Sequence, residues 1–295
     1  MDRAKTLSRL GRISLFSAAL LWGVSFVMMK NILGNLPPLY ILTFRFIGAV
    51  LILLPFCYKR LKQIDKSYLI GGILMGTALF LAYAFQTYGL RYTTPGKNAF
   101  LTSIYCVITP FLYWIYRRKR PDKFNWIAAV VCIIGIGLIT FYGEMSISLG
   151  DGLTLICGFF FAVHIVISAR YIKDKDPMVL IIVQFATVSV FTLIGALLFE
   201  PAPSAVTSGD IWGIVFLTVV CTAGCLLMQA FGQKYTPPSQ SAVILSLEAV
   251  FGTMASVLLL HDVLTPRLAI GFALTFCAVI ISETKLGFFR KNQAI

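Results

Sequence analysis

Gln86-Thr-Tyr-Gly-Leu-Arg-Tyr-Thr-Thr-Pro95 recurs as Gln229-Ala-Phe-Gly-Gln-Lys-Tyr-Thr-Pro-Pro238, with residue 229 standing for residue 86 and no gap between the copies. Gln86/Gln229, Gly89/Gly232, Arg91/Lys234, Tyr92/Tyr235, Thr93/Thr236, Pro95/Pro238 and Ala99/Ala242 coincide under this shift of 143. Each copy joins one long apolar run to the next. The chain therefore reads as a duplicated set of helices, an arrangement that places a site between two halves.

The solvent of those helices is lipid. Of 295 residues, 58% are hydrophobic and 13% charged, and the mean hydropathy is +0.86. A soluble chain of this length cannot hide that much apolar surface. The net charge of +13 does not point to nucleic acid, because the basic residues sit in short loops between apolar runs and form no soluble face. The seven cysteines lie in or at the ends of apolar segments without zinc spacing, so they read as small packing residues. Arg3, Lys5, Arg9 and Arg12 precede an apolar run that continues to about Leu33, which is long enough for a retained first helix rather than a signal peptide.

Ten helices are expected, over 12–33, 38–57, 68–89, 94–115, 124–142, 152–171, 178–199, 211–232, 239–260 and 266–284, each near the ~20 residues a bilayer requires. Prolines 37, 38, 177, 237, 238 and 266 mark helix starts. With the N-terminus in the cytoplasm, only Arg91, Lys97 and Arg267 of the 25 Lys and Arg fall outside, and Lys30 and Arg45 fall within helices. The remainder are cytoplasmic, so the positive-inside rule places both termini in the cytoplasm. The basic loop 117–120 then lies against anionic lipid heads. An odd number of helices per half puts equivalent turns on opposite faces, so the repeat is of inverted topology.

The sequence resembles the drug/metabolite transporter superfamily, in particular EamA-type permeases with two repeated domains. The resemblance spans nearly the whole chain, as 12–142 and 152–284. It rests on Leu21-Trp22-Gly23-Val24-Ser25-Phe26, on Arg45-Phe46, on Gly89 to Leu101, on Pro110 and on Glu248. It implies a multi-pass carrier of small organic solutes in the cell membrane, often an exporter, with a cavity lined by both halves. The family often carries Gly-Glu after helices four and nine. This chain instead has Tyr116-Arg117-Arg118-Lys119-Arg120-Pro121 and His261-Asp262, so Asp262 alone is placed to keep the role of that Glu.

Ionisable groups in hydrocarbon are costly unless they face a cavity or a partner. Glu248, near the middle of helix nine, has two open readings: a site for a proton, an ion or a cationic solute, or a hydrogen-bonded clamp between helices. His164 in helix six suits proton coupling or packing, and Ser25 lies opposite it in the repeat. Arg45 in helix two suits a substrate carboxylate, or it satisfies helix-end carbonyls or snorkels. Lys30 can snorkel. Lys97 and Asn98 open helix four, where free amides and the dipole attract anions. Trp22, Tyr83, Gln86, Tyr105, Gln184 and Gln229 are the candidate aromatic and polar lining. Tyr113, Trp114, Tyr116, Trp126 and Trp212 read as interfacial anchors. Gly72-x-x-x-Gly76 is a close-packing motif.

The reading these features favour is a secondary carrier of an amino-acid-like or drug-like solute, working by alternating access, with protons as a candidate coupling ion and no cofactor. A passive facilitator or channel, or a proton-coupled importer, is the alternative, although no residue ring or carbonyl filter appears. An enzyme is disfavoured because the chain has no nucleophile–base pair, metal cluster, phosphate loop or dinucleotide fingerprint.

Overall fold

The computed structural model describes residues 2–118, 120–140 and 147–284. Lys119, residues 141 and 142, and Lys285, Arg290 and Lys291 of the sequence reading lie outside the described residues, as does the side chain of Arg3. The described chain is helical throughout, with no strand. Eight segments are long and apolar enough to cross a membrane, and Lys123–Ile139 and Pro266–Ala278 are shorter apolar helices.

The helices are α1 (Asp2–Ile32), α2 (Pro38–Cys57), α3 (Lys66–Arg91), α4 (Pro95–Thr102), α5 (Tyr105–Arg117), α6 (Lys123–Thr140), α7 (Leu149–Tyr171) and α8 (Pro177–Phe199). They continue as α9 (Ser208–Phe216), α10 (Cys225–Tyr235), α11 (Pro238–Ser246), α12 (Glu248–Leu260) and α13 (Pro266–Thr284), with a π-helical segment, Leu217–Gly224, between α9 and α10. Three expectations change. The first helix starts at Asp2 rather than 12. The helices expected over 94–115 and 239–260 are each broken in two. The helix expected over 211–232 carries the π-helical segment.

The starts follow local chemistry. Pro38, Pro95, Pro177 and Pro238 stand in first turns, where no amide is needed. Asp65, Thr94, Ser148 and Asp176 accept from amides of the first turn, and Thr207 with Asp210 forms a reciprocal capping box. Glu200, at the end of α8, accepts from the Leu39 and Tyr40 amides at 2.9–3.2 Å and from Tyr88 Oη at 2.6 Å. That carboxylate ties α8 and α3 to the N-terminus of α2, which attracts negative charge.

The two breaks share a device. Ser103 Oγ donates to the Phe100 carbonyl and Ser246 Oγ to the Val243 carbonyl, both at 2.7 Å. Such back-bonding competes with the helical ladder and bends the helix. Tyr105 follows the first break and Glu248 the second.

In packing, α2 lies against α8, α4 against α12 and α6 against α13, while α1 packs on α10 and α7 on α3. Small residues permit the close approaches: a Cβ on Gly76 would stand 2.6 Å from Thr187 Cβ and 2.8 Å from the Gln184 carbonyl oxygen. Large apolar side chains such as Leu51, Phe56, Leu197 and Phe199 point outward, as lipid contact demands, and Trp126 and Trp212 are exposed. All seven cysteines are free, and all but Cys277 are buried.

Candidate functional site

A cavity lies where both halves meet. Seven of the nine residues singled out from sequence line it: Trp22, Arg45, Tyr83, Gln86, Tyr105, Gln229 and Glu248. They come from α1, α2, α3, α5, α10 and α12. Phe161 of α7 completes an aromatic wall, with ring centroids 5.4 Å from Tyr83 and 6.2 Å from Tyr105.

The π-helical segment holds one side of the cavity. There the Cys225 amide donates five residues back, to Val220, as well as to Thr222. The Cys221 carbonyl accepts from Trp22 Nε1 at 2.8 Å, and the Thr222 hydroxyl accepts from Arg45 Nε at 3.1 Å. The widened turn thus frees a backbone carbonyl for Trp22, and the Thr222 hydroxyl, which donates to the Leu217 carbonyl five residues back at 2.8 Å, keeps an acceptor lone pair for Arg45. Arg45 is 2% exposed, and its guanidinium lies 5.1 Å from the Tyr83 ring centroid. It neither reaches a helix-end carbonyl nor snorkels. Among the described residues no carboxylate forms an ion pair with it.

Glu248 stands in the first turn of α12, where exposed amides and the dipole favour a carboxylate. It is 6% exposed, and its Oε1 accepts from Tyr105 Oη at 3.0 Å. No described cation pairs with it. Gln86 Nε2 donates to Thr102 Oγ1 at 3.3 Å, which fixes the amide at the cavity wall.

Two predicted residues stand elsewhere. Lys97 Nζ pairs with Asp151 Oδ2 at 3.3 Å, and Asp151 also accepts from Thr93 Oγ1 at 2.9 Å. The lysine charge is therefore matched at the junction of α4 and α7, outside the central cavity. His164 Nε2 meets Gln184 Oε1 at 3.1 Å and Ser168 Oγ at 3.4 Å, in a smaller cavity that Gln184 also lines. Lys30 does not snorkel. Its Nζ donates to the carbonyls of Leu90, Arg91 and Thr93 at 2.8–3.2 Å and so caps α3. Asp262 accepts from Ser256 Oγ, which in turn accepts from the Gly96 amide at the start of α4.

Sequence reasoning missed Thr222 and Phe161, and it named Ser25 without placing it in the cavity lining. Thr222 lies in the small-residue run Cys221-Thr-Ala-Gly-Cys225, but no local signal announces a π-helical turn. The arrangement suits binding: a guanidinium and a carboxyl group in one enclosed space, with aromatic faces and amides between them.

The family profile of EamA-like transporters matches residues 9–141 and again 148–284. A protein of Archaeoglobus fulgidus named as an uncharacterized transporter is 33% identical over 274 residues, covering 93% of this chain and 86% of its own length. The uncharacterized transporter YoaV of Bacillus subtilis is 24% identical over 282 residues, covering 92% of this chain and 95% of its own. A solved crystal structure superposes with a TM-score of 0.71 at 18% identity, over 93% of this chain and 98% of that one, and so shares the fold. The chain belongs to the EamA-like transporter family: it is a multi-pass membrane transporter and not an enzyme.

Proposed function

We propose that this transporter is a secondary carrier that exports a small zwitterionic metabolite, an amino-acid-like solute with an apolar side chain, by alternating access. The observation that carries the reading is that Arg45 and Glu248 are both buried in one cavity and neither has an ion-pair partner among the described residues. A buried charge without a countercharge is costly, so a ligand that brings both charges fits the site. The solute carboxylate meets the guanidinium of Arg45. Its ammonium meets Glu248 beside Tyr105, and its side chain lies on Trp22, Tyr83 and Phe161.

The carrier crosses the membrane ten times, as inverted repeats over 12–142 and 152–284 with both termini cytoplasmic. The pairing of α1 with α10 and α7 with α3 supports this exchange of roles between halves. Export follows the family resemblance. Protons are the coupling ion that suits a midplane carboxyl such as Glu248, which can carry either a proton or the solute ammonium.

The test is counterflow in proteoliposomes with a radiolabelled neutral amino acid, its N-acetyl derivative and its amide. Uptake of the zwitterion, with loss of about ten-fold or more for each capped analogue, is expected, since ten-fold is ~1.4 kcal/mol of recognition. Equal rates for the three compounds would exclude a zwitterion site.

A further inference from the structure

A second, smaller cavity lies beyond Gln229, which lines both spaces. The contribution of α3 to the central cavity is Tyr83, Gln86, Thr87 and Leu90. The contribution of α10 to the second cavity is Leu226, Gln229, Ala230 and Gln233. Each of these residues stands 143 positions after its counterpart, the shift of the sequence repeat. The same holds for α1 and α7, where the shift sets Ser25 opposite Ser168 and not opposite His164: Ser25 and Met29 wall the first cavity, Ser168 and Ile172 the second. The two spaces are thus built from the same positions of the two copies, one larger and one smaller.

Apolar side chains make up much of the second cavity's wall, and buried polar side chains stand among them. His164 is 2% exposed and Gln233 7% exposed, and both line it. His164 Nδ1 and both amide atoms of Gln233 are buried without a hydrogen-bond partner. With Gln184 Oε1 accepting from Nε2, Nδ1 is left as a bare acceptor beside an amide that can donate and accept. Buried polar groups in folded proteins are almost always paired, so three orphan atoms at one cavity mark a place where water or a ligand's polar group belongs.

We propose that this cavity is the contracted counterpart of the outer part of the central cavity, and that it receives the hydrogen-bonding groups of the solute in the opposite-facing state. Gln229, shared by both walls, hands the solute across. Gln233 and His164 then take its polar end. Among the described residues no arginine, lysine or carboxylate lines this second site, so it holds the solute by neutral hydrogen bonds, more weakly than Arg45 does. The proposal rests on the carrier reading above, because two sites used in turn have meaning only in an alternating-access protein.

The experiment reads access without a known solute. Full-length protein with Cys277→Ser, which removes the one exposed native thiol, carries Thr87→Cys or its counterpart Ala230→Cys and is reconstituted in liposomes of determined orientation. A membrane-impermeant methanethiosulfonate is added outside or trapped inside. Thr87→Cys is expected to react from one side only and Ala230→Cys from the opposite side only. Gln233→Cys serves where Ala230→Cys is not monodisperse. Reaction of Ala230→Cys and Gln233→Cys from the same side as Thr87→Cys, or from neither side while Thr87→Cys reacts, overturns the proposal and leaves the carrier reading standing. Reaction of every variant from both sides describes an open pore and overturns the carrier reading itself.

Discussion

Tyr105 and Glu248 are separated by 143 residues in the sequence and joined by one hydrogen bond in the structure, Tyr105 Oη donating to Glu248 Oε1 at 3.0 Å. They are the same position of the two repeat copies, each following a break held by a back-bonded serine. Counterpart positions of the two copies thus touch one another directly.

The pair yields a direct test. Tyr105→Phe strips the buried carboxyl of this donor and should lower stability by ~1–3 kcal/mol. Glu248→Gln keeps an acceptor and should cost less. The exchange Tyr105→Glu with Glu248→Tyr rebuilds the contact with partners reversed and should recover stability relative to Tyr105→Glu alone. The measurement is thermal unfolding in detergent. A swapped protein no more stable than that single variant contradicts the equivalence of the two positions.

Arg45 is held by Thr222 and stacked on Tyr83. Lysine keeps the charge but cannot present a planar fork while keeping the Nε contact. Arg45→Lys should raise the counterflow KM for a zwitterion by about ten-fold, ~1.4 kcal/mol of recognition. Thr222→Val should have a smaller effect in the same direction. An unchanged KM in Arg45→Lys removes the carboxylate role.

Arg118 and His261 end α5 and α12 with φ of 58° and 56°, the left-handed region that glycine adopts without strain. These are also counterpart positions, at the place where the family often has glycine. Arg118→Gly and His261→Gly should each stabilise the protein by ~1 kcal/mol. Being far apart in sequence and in different helices, the two gains should add. The corresponding alanine variants should give no such gain.

Gly76 admits α8 at a distance that a methyl group cannot share, given Thr187 Cβ at 2.6 Å and a backbone oxygen at 2.8 Å. Gly76→Ala should destabilise by ~1–3 kcal/mol through overpacking. Gly152→Ala is the control, because its Cβ would meet only Ile147 Cγ2, at 3.7 Å. Equal melting temperatures for the two variants would falsify the close-packing role.

Asp65 caps α3 in the loop before it, and acceptance from the Tyr68 amide holds its carboxyl below the usual carboxylate range, with nearby Lys175 acting in the same direction. A depressed folded value means that the contribution is present above the ordinary carboxylate pKa and is lost as pH falls through the folded one. Asp65→Ala should therefore lower the melting temperature at pH 7 and leave it close to wild type at strongly acidic pH. A difference that persists unchanged into acid would place the stabilisation elsewhere.

The sequence by itself determined the solvent, the duplication and most of the cavity. Apolar composition requires lipid, because no water-facing fold buries so much surface. Proline and capping residues fix the helix starts locally, and a gap-free shift needs no structure to be seen. The aromatic and amide side chains of the site were legible because a polar group in a lipid-embedded helix has few places to go. Tertiary structure decided the rest. Lys97 and Lys30 look from sequence like free cations, yet Asp151 and the end of α3 take them up, since salt bridges and carbonyl caps join segments distant in the chain. The π-helical turn that orients Trp22 and Arg45 depends on which of its acceptors, a Cys221 carbonyl and a Thr222 hydroxyl, neighbouring helices can satisfy. Which of two equivalent spaces is the larger, that beside Gln86 or that beside Gln233, is a matter of how two packed halves lean on one another, and no single copy of the repeat encodes it.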